Sequence, residues 1–391
     1  MSEVDAMKKY TLCLLEAVDY KTAQRWLDDM AGQGWELEHC NRIFASFRKV
    51  EERKVRHFAD LSVGWEDQED YLQLCADAGW ERVSKVNGMD LFRALPGREV
   101  TPLQSDKGLE GQRYFRKKLV VEFLVYILAF LMLAVFLPWA LSAQKDWSIS
   151  LITSAAAQVT AVGVGLFALH LIWTLGHYTA LLFRYRREDA VPRCALPLCR
   201  ARVALYWVSW CLYLVGMVFL PLGELFFTQQ VSVGLEAPTD TQWSVVEEAP
   251  VPTLERLGGE DADTFVLSLH QTGSFLAQGW DYAQCAGEDA LWCERYTCIN
   301  EKVAVWLSHA LLNERMERGQ NGYGVLAFTA CPLTGTDESW VAREETFVLI
   351  RKGREVAFVG WRTGEDTPSL TREGTWERLL EALEWETYEK G

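Results

Sequence analysis

The sequence predicts an α+β protein organised around transmembrane helices: an N-terminal duplicated β-α-β(-β) domain, a three-helix membrane unit and a C-terminal α+β domain. Three observations predict this. The apolar stretches 119–142, 151–183 and 203–228 each exceed the ~18–20 residues needed to cross a bilayer's hydrocarbon core. Arginines and lysines crowd one side of those stretches. Residues 1–95 repeat their own pattern at a spacing of 45.

The basic residues set an expected topology. Arg113, Arg116, Lys117 and Lys118 precede the first span, and Arg184, Arg186, Arg187, Arg193, Arg200 and Arg202 fill the loop between the second and third. The opposite side offers only Lys145 in its short loop. By the positive-inside rule, the N-terminus and the Arg-rich loop lie in the cytoplasm and residues 229–391 lie outside. The chain is therefore expected to be a multi-pass protein of the cytoplasmic membrane. Its charged N-terminus does not read as a cleavable signal, so the first span is expected to direct insertion.

Charge divides along the same lines. Residues 1–118 carry 19 basic and 21 acidic groups, residues 119–228 carry 7 and 5, and residues 229–391 carry 13 and 28. The whole net charge of −15 thus falls on the C-terminal part. An acidic surface of this kind repels nucleic acid and anionic headgroups, so direct nucleic-acid binding is not expected.

Within residues 1–95, superposing Gly34-Trp35 on Gly79-Trp80 brings Trp26-Leu27 onto Tyr71-Leu72 and Met30 onto Cys75. Glu36 falls on Glu81, and Phe47-Arg48 on Phe92-Arg93. In the first unit Tyr10–Ala17 is strand-like and Asp19 is a candidate N-cap. Ala23, Trp26, Leu27 and Met30 then lie on one helical face. Gly34 ends the helix, Trp35 opens an extended stretch, and Ile43–Val50 returns. The second unit repeats this with Val55–Val63, Asp67–Ala78 and Trp80–Leu95. Helices on one face of an antiparallel sheet are expected, with Trp26, Gly34, Trp35, Tyr71, Gly79 and Trp80 as the repeat core. Residues 96–118 read as a polar linker into the membrane.

This pattern of Trp/Tyr-Leu, Met/Cys, Gly-Trp-Glu and Phe-Arg, repeated and followed by spans, resembles an uncharacterised bacterial membrane family. The N-terminal module of that family is domain of unknown function 2812, and the resemblance covers about residues 8–118. It implies a companion of PadR-type transcriptional repressors, near whose genes such proteins are often encoded. It supplies no catalytic residues.

In the spans, Ala157, Ala161 and Gly165 form a stripe of small residues suited to helix packing, within the unit or between protomers of a homo-oligomer. Glu122, His170 and His177 are the candidate intramembrane polar residues, and a His177–Glu122 pair is open to them. Cys194 and Cys199 flank Ala-Leu-Pro-Leu, a spacing that matches no strong metal motif.

Residues 229–259 read as a stalk and 260–391 as an exported acidic α+β domain. Strands are expected over Ser274–Ala283, Leu291–Ile299, Tyr323–Ala330, Thr346–Arg351 and Glu355–Trp361, with a tight turn at Lys352-Gly353. Helices are expected over Glu301–Arg318 and Thr371–Trp385. Cys285, Cys293, Cys298 and Cys331 are candidate disulfide cysteines whose pairing the sequence leaves open, free thiols being the alternative.

The sequence holds no Gly-x-Ser-x-Gly, His-Glu-x-x-His, phosphate-binding glycine loop or Cys-x-x-Cys, so no catalysis, metal or cofactor is expected. The expected function is signalling or regulation, linking an extracytoplasmic sensing domain to a cytoplasmic protein-binding domain. A structural or transport accessory subunit is the alternative, and an exported enzyme of unfamiliar type ranks below both.

Overall fold

The computed structural model describes residues 8–50, 56–62, 68–95, 100–101, 107–143, 147–188, 191, 193–219, 251–258, 264–318, 326–362 and 369–385. The chain divides into two compact units. One comprises 1–137 and 163–211, the other 138–162 and 212–391.

In the first unit, β1 (Lys8–Leu12), α1 (Tyr20–Gly32), β2 (Trp35–Cys40) and β3 (Phe44–Lys49) are followed by β4 (His57–Leu61), α2 (Gln68–Asp77), β5 (Trp80–Val86) and β6 (Met89–Ala94). They form two three-stranded antiparallel sheets, β1-β3-β2 and β4-β6-β5. The two match in detail. Register shifts fall between Leu37 and His39 in one and between Arg82 and Ser84 in the other. Glu36 meets Arg48 at 2.8 Å, and Glu81 meets Arg93 at 2.8 Å. Gly34 (φ +77°) and Gly79 (φ +88°) each end a helix in the left-handed region, where a Cβ is disfavoured.

One continuous sheet does not form. At the seam, the Cys40 amide donates to the Ser84 hydroxyl at 2.9 Å, and Arg93 reaches Glu36 at 3.0 Å. Side chains occupy the place where a backbone ladder would join β2 to β5. Trp26 is buried edge-on to Phe47, and Trp80 is buried with its indole N–H donating to the Thr101 carbonyl at 3.0 Å. Trp35 is half-buried between Lys9 and Lys49, and the Tyr71 hydroxyl donates to Asp60 at 2.6 Å.

Part of the expected linker is ordered. Helix α3 (Lys107–Tyr114) and a π-helical turn (Phe115–Leu119) lead into the first span. Tyr114 is fully buried and its hydroxyl donates to the Val18 carbonyl at 3.1 Å, while the Tyr20 hydroxyl donates to Glu110 at 2.8 Å.

Among the described residues, three helices are long and apolar enough to cross a membrane: Val120–Trp139, Ala155–Arg187 and Leu196–Val218. They belong to α4 (Val120–Ala143), α6 (Ala155–Glu188) and α7 (Leu196–Leu214), the last continued by a π-helical turn. The second expected span is broken at Ser154, between α5 (Trp147–Thr153) and α6. The Ser154 hydroxyl accepts from the Ala157 amide at 3.3 Å, capping α6. The third begins at Leu196 rather than Val203, because Pro197 suits a first helical turn and Arg202 finds buried counter-charges. Its expected end, 220–228, lies outside the described residues.

Among the described residues, the Ala157, Ala161 and Gly165 stripe does not make the close helix contact. Ala161 and Gly165 are exposed, and a Cβ on Gly165 would meet open space. The close approach is instead at Gly216, where a Cβ would lie 2.6 Å from the Thr160 amide nitrogen and 2.9 Å from the Ala156 carbonyl oxygen. A helical face is offset from a spacing-based guess by one residue, and that moved the contact from Ala157 to Ala156.

The C-terminal domain is built on one seven-stranded antiparallel sheet of order β10-β11-β12-β13-β9-β8-β7. Its strands are β7 (Thr264–Gly273), β8 (Ala277–Ala286), β9 (Asp289–Cys298), β10 (Thr329–Ala330), β11 (Glu338–Ala342), β12 (Phe347–Lys352) and β13 (Glu355–Arg362). Strand alternation divides its apolar residues between two cores. Val348, Ile350, Ala357 and Val359 pack with the helix Thr375–Ala382 and with Leu254 and Leu257. Phe347, Leu349, Val356 and Phe358 pack on the other face with the helix Glu301–Arg318 and with Ile152 of α5. Residues 251–258 and α5 are therefore parts of this domain's core, although the boundaries 229–259 and 119–228 exclude them. The rest of the expected stalk lies outside the described residues. Strands β7 and β11 are additional to those expected, and the expected strand Tyr323–Ala330 reduces to Thr329–Ala330 among the described residues.

Candidate functional site

The most concentrated set of buried polar groups in the first unit forms where the loop before α1 meets α6 and α7. The chain leaves β1 through Cys13–Leu15, all buried, and a short 3-10 turn (Ala17–Asp19) then aims Glu16 and Asp19 the same way. Asp19 caps nothing. Its carboxylate is taken by Arg202 at 2.7 Å, a charge-assisted bond stronger than a neutral cap. Arg202 also reaches Glu16 at 2.8 Å, and its side chain is 1% exposed.

His177 from α6 approaches the other Asp19 oxygen, with Nε2 to Oδ1 at 3.3 Å. Glu16 in turn accepts from the Tyr126 hydroxyl at 3.2 Å. The sequence offered a His177–Glu122 pair, and the structure divides it. Glu122 accepts from the Tyr178 hydroxyl and pairs with Lys118 at 2.5 Å, one turn earlier. Adjacent residues on α6 thus serve different carboxylates because the N-terminal domain supplies Asp19, a partner no helix spacing reveals.

His170 is fully buried, and its Nδ1 lies 3.1 Å from the Arg202 carbonyl. A carbonyl only accepts, so Nδ1 carries the proton and Nε2 accepts from the Thr174 hydroxyl at 3.4 Å. That assigns His170 to fixing α6 against α7.

The electrostatics follow from burial and its compensation. Burial raises the Glu16 carboxyl above the usual range, with the Arg202 guanidinium opposing it. Burial pushes Asp19 the same way, but the His177 hydrogen bond and Arg202 outweigh it and hold Asp19 below the usual range. Cys194 lies beside these groups, with its backbone clamped to Thr22 of α1: its amide donates to the Thr22 hydroxyl at 3.2 Å, and that hydroxyl lies 3.3 Å from its carbonyl. A hydrogen bond with Cys199 lowers the Cys194 thiol's pKa, burial opposes this, and His177 and Arg184 assist it.

A cavity of about 830 Å³ opens beside the network, lined by Glu16, Arg42, Lys85, Glu122, Tyr126 and Trp207 among others. Three of those residues belong to the hydrogen-bonded set, so an occupant of the cavity would touch it directly.

Elsewhere the candidate residues stay apart. Cys285, Cys293, Cys298 and Cys331 are free thiols. On β8 and β9, Cys285 faces Ala290, Cys293 faces Tyr282 and Cys298 faces Ala277, so none stands opposite another. Cys331 follows β10 at the far edge of the sheet. A disulfide needs Cα atoms within about 7 Å, which this register denies to the three strand cysteines.

Sequence reasoning passed over Glu16, Asp19, Cys194 and Arg202 as site residues. Asp19 and Arg202 are 183 positions apart, and no spacing rule joins them. The available signal was an arginine, Arg202, directly abutting an apolar run that begins at Val203, because a charge there must be answered by another element.

No curated protein and no solved structure matches the chain. Residues 19–126 match the model of the family described as "Protein of unknown function (DUF2812)", a stretch that opens on Asp19 and includes Glu122 and Tyr126, and the N-terminal part of this chain is thus a domain of unknown function 2812.

Proposed function

We propose that the chain is a membrane-spanning signalling or regulatory protein. In this reading the C-terminal domain senses a condition outside the cytoplasmic membrane and the N-terminal domain binds a cytoplasmic protein. The carrying observation is the Glu16–Arg202–Asp19–His177 set, in which the central Arg202–Asp19 pair is buried and the flanking Glu16 and His177 are half-buried. It fastens the N-terminal domain to the Arg-rich ends of two apolar helices, so those helix ends cannot shift without moving the domain. Separating a buried pair of this kind costs about 3–5 kcal/mol, enough to make the domain follow the helices.

Orientation comes from the basic residues that flank the spans. The matched bulges, glycines and ion pairs of the two small sheets are read as an internal duplication. The family resemblance nominates a PadR-type regulator as the partner. The test is recovery of the full-length chain, tagged at its N-terminus, from native membranes. A specific cytoplasmic protein should co-purify and should be lost when half-buried Lys9 and exposed Lys49, both on the N-terminal sheet, are replaced by Glu. Recovery without any specific soluble protein would overturn the reading.

One observation favours the accessory-subunit alternative: the exposed Ala161 and Gly165 face with open space above it. Gly165→Leu should dissociate a larger membrane complex under that alternative and leave the signalling reading untouched.

A further inference from the structure

The Asp19 carboxylate, His177 Nε2 and Cys194 Sγ lie within 4.8 Å of one another. The Cys199 thiol, one helical turn into α7, lies outside that group but close enough to act on both the Cys194 thiol and the Asp19 carboxylate. We propose that these four residues bind a soft divalent cation of the zinc class, a site that clamps the N-terminal domain to α6 and α7. The proposal stands apart from the signalling reading, since it requires only these side chains.

Donor chemistry, geometry and charge agree. Two sulfurs, an imidazole and one carboxylate form a donor set for zinc, whereas magnesium and calcium demand oxygen ligands. Zinc bonds of ~2.0–2.3 Å place tetrahedral donors about 3.3–3.8 Å apart. His177 Nε2 and Asp19 Oδ1 are already 3.3 Å apart, Cys194 Sγ lies within 4.8 Å of both, and Cys199 would have to turn inward from outside that set to supply the fourth donor.

The surroundings hold the donors in place. Arg202 occupies Asp19 Oδ2 and leaves Oδ1 for the cation, while Thr22 fixes the Cys194 backbone from both sides. A dication with two thiolates and a carboxylate is a net monoanion, which the adjacent Arg202 guanidinium offsets. Binding releases the two thiol protons to solvent and changes no oxidation state.

The test uses the reduced full-length chain in detergent, titrated with Co²⁺ and then Zn²⁺. About one equivalent of Co²⁺ should produce tetrahedral d–d bands with a thiolate charge-transfer band, and Zn²⁺ should bleach both. Cys194→Ser, Cys199→Ser and His177→Gln should each abolish or shift the bands, while Cys211→Ser, on an exposed face, should leave them intact. A second readout needs no variant: Zn²⁺ should shield Cys194 from alkylation in the wild-type chain, and a chelator should restore its reactivity. Either absence of a thiolate band at stoichiometric cobalt or bands that survive the Cys194→Ser/Cys199→Ser double change would overturn the proposal. So would unaltered alkylation in the presence of zinc.

Discussion

In the C-terminal domain, buried Arg315 meets Glu294 and buried Arg295 meets Glu355, both pairs within the same domain. In the N-terminal domain buried Asp19 and half-buried Glu16 meet Arg202 of α7 instead. A domain that satisfies its own charges needs no helix for them, whereas one that borrows a guanidinium from an apolar helix depends on that helix for its charge balance. Size accounts for part of the contrast. Seven strands covered on both faces bury ample apolar surface, but two three-stranded sheets have less to bury and draw their last partners from α3, α6 and α7.

Matched substitutions break this comparison most sharply. Arg202→Met leaves Glu16 and buried Asp19 without a counter-charge and should cost the N-terminal unit about 3–5 kcal/mol. Limited proteolysis should then cleave residues 8–95 readily while residues 264–362 stay resistant. Arg315→Met should give the reverse pattern at similar cost. If either substitution opens both domains, the distinction between borrowed and internal charge fails.

Smaller effects sharpen the account of the helices. Gly216→Ala drives a methyl into Thr160 and the Ala156 carbonyl and should destabilise by about 1–3 kcal/mol. Gly165→Ala meets nothing and removes a helix glycine, so it should be neutral or stabilise by up to about 1 kcal/mol. Thermal unfolding in detergent reads both changes, and equal effects would contradict the assigned contact.

The thiols of the two domains should separate by reactivity. Hydrogen bonding with Cys199 lowers Cys194, whereas burial pushes Cys298 up to about 11 and raises Cys293 further. Near neutral pH in metal-free buffer, mass spectrometry should therefore show Cys194 alkylated well before Cys293 or Cys298. As pH falls through the lowered Cys194 range its rate should drop, because the thiolate is the nucleophile.

Much of this architecture was legible from sequence periodicity. Gly34-Trp35 and Gly79-Trp80 mark helix ends and strand starts in both small sheets, and the three apolar stretches found their helices to within several residues. The Lys352-Gly353 hairpin also follows from local chemistry, since Gly353 takes φ +56°. Strand β11, carrying Trp340 and two polar residues, lacks a clean alternation and escaped notice. The site was the least legible part, because its central contacts join residues far apart in sequence, such as Asp19 with His177, 158 positions on. Asp19 looked like a helix cap and Arg202 like a marker of topology. Both readings were locally sound, and tertiary pairing superseded them.

The central claim is that the N-terminal domain and the Arg-rich ends of α6 and α7 are held as one body through Asp19. Hydrogen–deuterium exchange of full-length Asp19→Asn against wild type tests it directly, with the change made on the domain and the effect read on the helices. Exchange should quicken in residues 174–187 and 196–206 as well as in α1, with residues 264–362 unchanged. Quickening confined to residues 13–32, with both helix ends as protected as in wild type, would contradict it.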